Sequence, residues 1–370
     1  MSELPAPQEE ITEGTGRSQT PGQLAWGQLR RNRFAMTGGI VVCLLYLLAI
    51  LGEFISPYPV ADIRPTLYHH PPSPVVWHDA AGRFSLQPYA LGMKKDANDE
   101  YVPDPTVRAP IRLFNTGYSY KLLWILPLRV HLFGTRSDFQ FFPLGTDYLG
   151  RDVFSRLVVG SQVSLTIGLV AISITFSIGL LVGGAAGFYG GRVDNILMRL
   201  CEVLQSIPSF YLLIALAGIL PTKIPPAVTF LMIIGILSFV GWAGLARVIR
   251  GITLSVRERE YVEAARALGV SDFKIIVRHL LPSTFTIAIV NATLAIPGFI
   301  LAESGLSFLG LGIRDPVPSW GNMLTEAQNL EVLTKDTWIL APGFLIFITV
   351  IAFNTLGDGL RDALDPKLRR

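Results

Sequence analysis

The chain has 370 residues, of which 50% are hydrophobic and only 16% charged, and its formal net charge is +3. Soluble domains carry about a quarter charged residues, so the composition favours the membrane class. The Lys and Arg residues are spread along the chain rather than clustered with aromatics, which argues against a nucleic-acid surface, and the only two cysteines, Cys43 and Cys201, argue against a disulfide framework.

Residues 1–28 are polar and rich in Gln, Glu, Ser, Thr and Pro, the composition of a disordered cytosolic segment; with Arg30, Arg31 and Arg33 they make an N-terminal tail over 1–33. The apolar run 34–55 is too long for the core of a signal peptide and ends without a small-x-small cleavage site, so it is read as a first transmembrane helix. The "RRNRF" before it then acts as a cytosolic anchor rather than a twin-arginine export signal.

A helix needs about 20 apolar residues to cross roughly 30 Å of hydrocarbon. Six stretches qualify: Met36–Ile55, Val163–Phe188, Leu197–Leu220, Ala227–Val248, Ser283–Leu301 and Trp338–Leu356, the third interrupted by Arg199, Glu202 and Pro208. The expected fold is an all-α membrane protein with six transmembrane helices and both termini in the cytosol. The charges agree with that orientation: the inside set includes Arg192, Arg247, Arg250, Arg257, Arg259, Arg266, Lys274, Arg278, Arg361, Lys367, Arg369 and Arg370, whereas the short outside loops hold only Lys223, Arg314 and Lys335.

Between the first two spans lies an outside segment, 56–149, with stretches such as "YHHPPSPVVWHDAAGRF" and "YVPDPTVRAPIRLF". Prolines at that density argue against helices and central strands, so a compact, loop-rich subdomain is expected, with Trp77, Phe84, Tyr101, Phe114 and Trp124 as its candidate core.

Gly179, Gly183, Gly187 and Gly191 recur every four residues along and just beyond the second span, a ridge suited to close helix packing with a partner that the sequence does not identify. Pro208, Pro297 and Pro342 mark possible kinks. No glycine precedes any of the seven lysines, so no GxxxxGK[ST] phosphate loop exists. The central thirds of the apolar stretches carry no Asp, Glu, Lys or Arg, which disfavours ion coupling within the chain. His69, His70, His78, His131 and His279 show no metal-site spacing. No cofactor or metal is therefore expected in this chain, and any energy source lies outside it.

The segment "EYVEAARALGVSDFKIIVRHLLP" is charged and amphipathic between two apolar spans. Val262, Ala265 and Leu268 recur at helical spacing, Gly269 suits a helix end, Ser271 can cap a second helix, and Phe273, Ile276, Val277, Leu280 and Leu281 form its apolar stripe before Pro282. Arg266, Lys274 and Arg278 keep the unit out of hydrocarbon, and Glu263, Ala264 and Ala265 offer an acid beside small residues, a surface open to close protein approach.

This segment resembles the EAA loop of bacterial ATP-binding-cassette import permeases. Glu263, Ala264, Ala265, Gly269, Leu281 and Pro282 match that pattern, and His279 stands where it has Ile. "LGTDYLGRDVFSRLVVGSQVSL" (Leu144–Leu165), "GFYGGRVD" (Gly187–Asp194), "ESGLSFLGLG" (Glu303–Gly312) and "GDGLRDALDPKLR" (Gly357–Arg369) resemble the C-type permease subunit of dipeptide and oligopeptide importers. Gln162 stands where many relatives carry Arg, and the insertion over about 66–141 exceeds the usual first outside loop.

The resemblance implies the type I ABC importer permease fold, with a core permease domain over 150–357 that contains the EAA loop at 257–282, and a cytosolic tail over 358–370. It implies a non-catalytic multi-pass subunit of the bacterial inner membrane, surrounded by lipid. Its partners would be a second homologous permease in a heterodimer, two ATPase subunits that bind ATP and Mg, and an extracytoplasmic solute-binding protein. Glu263, Ala264, Ala265, Arg266, Gly269, Ser271, Leu281 and Pro282 would couple it to the ATPases. Di- and oligopeptides are the implied substrates; nickel chelates, glutathione, peptide antibiotics and oligosaccharides are alternatives. An ion-coupled carrier or channel acting alone, or a membrane-anchored receptor, is the reading from another class.

Overall fold

The computed structural model describes residues 21–78, 82–122, 125–135, 139–221 and 223–364. Trp124, Lys367, Arg369 and Arg370, as well as most of the expected N-terminal tail, lie outside them.

The chain opens with α1 (Pro21–Arg31), α2 (Arg33–Ile50) and the single turn α3 (Gly52–Ile55). Helix α1 corrects the expectation of a disordered segment up to residue 28. It is amphipathic, and burying Leu29 against Ala35 and Ala363 supplies the packing that a short polar helix lacks on its own. The first span breaks at Leu51, so its last turn is a separate element.

The expected loop-rich subdomain is built of strands instead. Strands β1 (Val75–His78), β2 (Phe84–Lys95) and β3 (Tyr101–Pro110) form an antiparallel sheet in that order, and β4 (Arg112–Leu122) pairs with β5 (Leu126–Gly134) as a ribbon. Proline is tolerated because of where it falls. Pro103 and Pro105 lie on the edge strand β3, and Pro105 sits in the bulge between Asp104 and Arg108; Pro88 lies where the β1–β2 register breaks. Trp77, Phe84 and Phe114 are exposed rather than forming the core, and Tyr101 is half-buried. Phe141, Phe142, Tyr120, Ala90 and Ala109 are buried in their place. His131 fastens the ribbon to the first span: its ring nitrogens lie 3.1 Å from the carbonyl oxygens of Glu53 and Tyr118.

The bundle follows as α4 (Val153–Tyr189), α5 (Gly191–Ser206), α6 (Ser209–Gly218), α7 (Pro226–Val256), α8 (Glu260–Ala267), α9 (Asp272–Ile275), a π turn (Ile276–Leu280), α10 (Leu281–Phe308), α11 (Trp320–Met323), α12 (Leu330–Lys335) and α13 (Ala341–Leu364). Asp152 caps α4 by accepting the Ser155 N–H at 2.8 Å. The 37 residues of α4 run about 55 Å, well beyond the hydrocarbon thickness, so this helix reaches from the insertion to the far end of the bundle.

Five helices among the described residues are long and apolar enough to span a membrane. The expected third span is a broken pair, a sixth candidate when its two helices are taken together: α5 and α6 meet at 82°, with extended backbone at Ile207 and Pro208. Of the two, only α6 is free of charged residues, since α5 carries Asp194, Arg199 and Glu202. Pro297 lies inside α10, which runs past the expected Leu301 to Phe308 and so takes in Glu303. Glu303 is wholly buried and accepts a hydrogen bond from Ser307 at 2.7 Å.

Candidate functional site

Two polar regions stand at opposite ends of the bundle. At the end away from the insertion, α8 and α9 pack on the last turns of α4 and α7. Val262 and Ala265 of α8 are buried with Phe188, Val256, Ile275 and Leu280. Arg266 holds its guanidinium 4.8 Å from the centre of the Phe188 ring, and Arg257 donates to the Gly187 carbonyl at 3.1 Å.

Outward, α8 presents Glu263 and Ala264 to solvent. Beside them, Leu268 is 82% and Phe273 73% exposed, a correction to the expected inward stripes; the buried pair is Ile275 and Leu280. Their spacing of five residues fits the π turn rather than an ordinary helix.

Gly269 sits at φ +73 with nothing near it, so the turn and not packing calls for glycine. Its N–H bonds the Arg266 carbonyl at 2.9 Å and the Val270 N–H bonds the Ala265 carbonyl at 3.1 Å, the Schellman arrangement. Ser271 occupies the N-cap position of α9 but makes no side-chain cap bond. Leu281 is half-buried against Gly184, and Pro282 is exposed at the start of α10.

The glycine ridge divides. Gly179, Gly183 and Gly187 face α7 of the same chain: a Cβ on Gly179 would stand 3.0 Å from Leu245, one on Gly183 would run into the Ala246 carbonyl, and one on Gly187 would stand 2.6 Å from Thr253. Gly191 has no neighbour within 4 Å and opens α5 with positive φ. The ridge thus locks α4 to α7, directly above the α8 contact.

At the insertion end, a cavity of about 740 Å³ is lined by Asp147, Tyr148, Arg151, Arg156, Asp315 and Glu326 among others. Arg151 is buried; its Nε donates to Asp147 at 2.6 Å and its Nη1 to Asp315 at 2.8 Å, while the buried Arg156 donates to the same Asp315 oxygen at 2.8 Å. Burial pushes the Asp315 carboxyl up, but the charges and hydrogen bonds of Arg156 and Arg151 outweigh it and hold the group below the usual carboxylate range. Burial, followed by the Asp147 charge, pushes Glu326 up to about 7. The motif over 144–165 contained Asp147, Tyr148, Arg151 and Arg156 without revealing their joint role; the Asp147–Arg151 spacing of four was the available signal, whereas Asp315 and Glu326 come from the distant segment after α10. Among the described residues, no group of three or more His, Cys, Asp or Glu side chains converges as a metal site.

A family model described as the binding-protein-dependent transport system inner membrane component matches residues 179–370, just over half of the chain. The chain belongs to that family. A second model, the N-terminal TM domain of oligopeptide transport permease C, matches residues 20–72 of this inner-membrane permease. The permease is 36% identical over 349 residues to the dipeptide transport system permease protein DppC of Bacillus subtilis, covering 94% of this chain and 86% of that one. It is 35% identical over 350 residues to the glutathione transport system permease protein GsiD of Escherichia coli O157:H7, covering 95% and 92%. With the oligopeptide transport system permease protein OppC of Haemophilus influenzae it shares 42% over 237 residues, covering 64% and 73%. Among solved structures, the inward-facing MetNI methionine ABC transporter matches with a TM-score of 0.43 and 22% identity, over 56% of this chain and 96% of that one.

Proposed function

We propose that this permease is the C-type membrane subunit of an ATP-driven importer of di- and oligopeptides. It forms half of the translocation pathway with a second, homologous permease; an extracytoplasmic binding protein delivers solute at the insertion end, and two ATPase subunits dock on the α8–α9 surface. Both termini and α8–α9 lie in the cytosol, in line with the excess of Lys and Arg in those segments.

One observation carries the coupling role: an acid and two large apolar side chains, Glu263, Leu268 and Phe273, stand exposed on an element whose inner face is packed on the ends of α4 and α7. Movement of an ATPase against that element reaches the membrane helices directly. Because α4 and α7 meet through Gly179, Gly183 and Gly187, they move as one body rather than sliding past each other. A chain with no phosphate loop needs such a lever.

Glutathione is the second reading of the substrate, favoured by the similarity to the GsiD permease over almost the full length. Copurification tests the assignment: stoichiometric ATPase subunits, a second permease and peptide uptake in proteoliposomes support it, and a functional homomer overturns it.

A further inference from the structure

Halfway along the bundle, a cavity of about 230 Å³ lies between α4, α7 and α10. Ile172 and Thr175 come from α4, Gly241 and Gly244 from α7, Asn291 and Phe299 from α10, all from the middle portions of these helices.

Thr175 is only 2% exposed, yet its Oγ1 has no hydrogen-bond partner. The cause is visible in the packing. A helical threonine normally donates to the carbonyl four residues back. Here that carbonyl, of Ala171, already accepts the Ser238 hydroxyl at 3.3 Å. A buried donor is thereby left in the cavity wall, beside Gly241 of α7.

Asn291 supplies the opposite polarity. Its Nδ2 donates to the Ile287 carbonyl at 2.8 Å, which leaves the carboxamide oxygen as an acceptor. Gly244 has nothing within 4 Å of where a Cβ would stand, so the α7 backbone wall is open there. Phe299 and Ile172 provide apolar surface. The Asn291 carboxamide turned to lipid would be costly, which argues for protein or water on the open side of the cavity.

We propose that this cavity is a mid-membrane subsite for a peptide unit: the Thr175 hydroxyl donates to a substrate carbonyl, Asn291 accepts from a substrate N–H, and Phe299 receives an apolar side chain. The inference rests on the peptide-import reading for its ligand class. Its test has a separate readout.

The complex is purified with its partner subunits, carrying Cys43→Ser and Cys201→Ser together with Gly244→Cys, a position with room for the added side chain. It is labelled with a charged methanethiosulfonate reagent, which requires water, in the presence of tri-alanine or of maltotriose. We expect labelling that tri-alanine slows and maltotriose does not. Adding Thr175→Val, or Asn291→Leu, weakens the apparent affinity of tri-alanine protection about two- to tenfold, the effect of losing one hydrogen bond. An unlabelled cysteine, labelling indifferent to tri-alanine, or protection unchanged in both variants overturns the subsite. Tri-alanine uptake by the same complex in proteoliposomes reports on import independently: uptake without protection defeats the subsite alone, and protection without uptake defeats the import reading alone.

Discussion

Arg250 of α7 and Asp194 of α5 form a two-armed ion pair, with Nε 2.9 Å from one carboxylate oxygen and Nη2 on the other. Asp194 is buried and Arg250 partly exposed, and the pair ties α5 to the end of α7, about one turn before Thr253 and two turns before Arg257. That places an electrostatic clasp beside the α8 contact.

Breaking the clasp separates stability from coupling. With Arg250 part-exposed, Arg250→Met costs on the order of 1 kcal/mol in stability after solvent screening. Loosening α5 from α7 also lets the α8 push dissipate, so peptide uptake falls more steeply than ATP hydrolysis. Thermal melting in detergent, with uptake and ATPase rates in proteoliposomes, checks both expectations.

The glycine ridge gives a positional contrast. Gly183→Leu sets a side chain against the Ala246 carbonyl, a backbone group that cannot move aside, and costs about 1–3 kcal/mol or the fold itself. Gly191→Ala meets no neighbour and costs only the strain of its positive φ, on the order of 1 kcal/mol. Yield and melting temperature of the two variants should fall in that order.

Asp315 is the shared acceptor for Arg151 and Arg156, whose side chains are 4% and 3% exposed. Asp315→Ala leaves one buried guanidinium short of its main partner, at a cost of about 3–5 kcal/mol for a fully buried pair and less here because Asp315 is part-exposed. The loop over 309–319 then loosens from the start of α4, which limited proteolysis of this segment detects as faster cleavage.

Glu326 gives the outer cavity a pH dependence. Its folded-state pKa of about 7 lies above the ordinary carboxylate value, so the native state binds the extra proton. Its contribution is fully present below the ordinary value and is lost as pH rises through about 7. Melting temperatures of wild type and Glu326→Gln, compared from pH 4 to pH 8, check this: wild type should lose stability relative to the variant as pH rises.

The hydropathy pattern located the long spans because about 20 consecutive apolar residues admit few other structures. At α5–α6 it marked the interruption by Arg199, Glu202 and Pro208 but not the 82° bend, which lies in the extended backbone at Ile207 and Pro208. The strands of the insertion were hidden because proline excludes central strands but not edges and bulges, and edge position is a tertiary property. Helix α1 depends on docking against α13, which local composition does not encode. At α8–α9 the turn at Gly269 was legible, since only a left-handed residue closes a Schellman end. The facing of Phe273 was not, because the π turn shifts the phase of the buried positions.

The lever itself is tested most directly by one measurement: the number of peptides imported per ATP hydrolysed in proteoliposomes, with Glu263→Lys and Gly269→Trp beside wild type. Both positions are exposed, so neither variant disturbs packing; Gly269→Trp adds the local strain of a non-glycine residue at φ +73, and membrane content of both variants is measured alongside. The ratio should collapse in both, with the protein still in the membrane. An unchanged ratio in both would contradict the role of α8 and its turn as the link between ATP hydrolysis and transport.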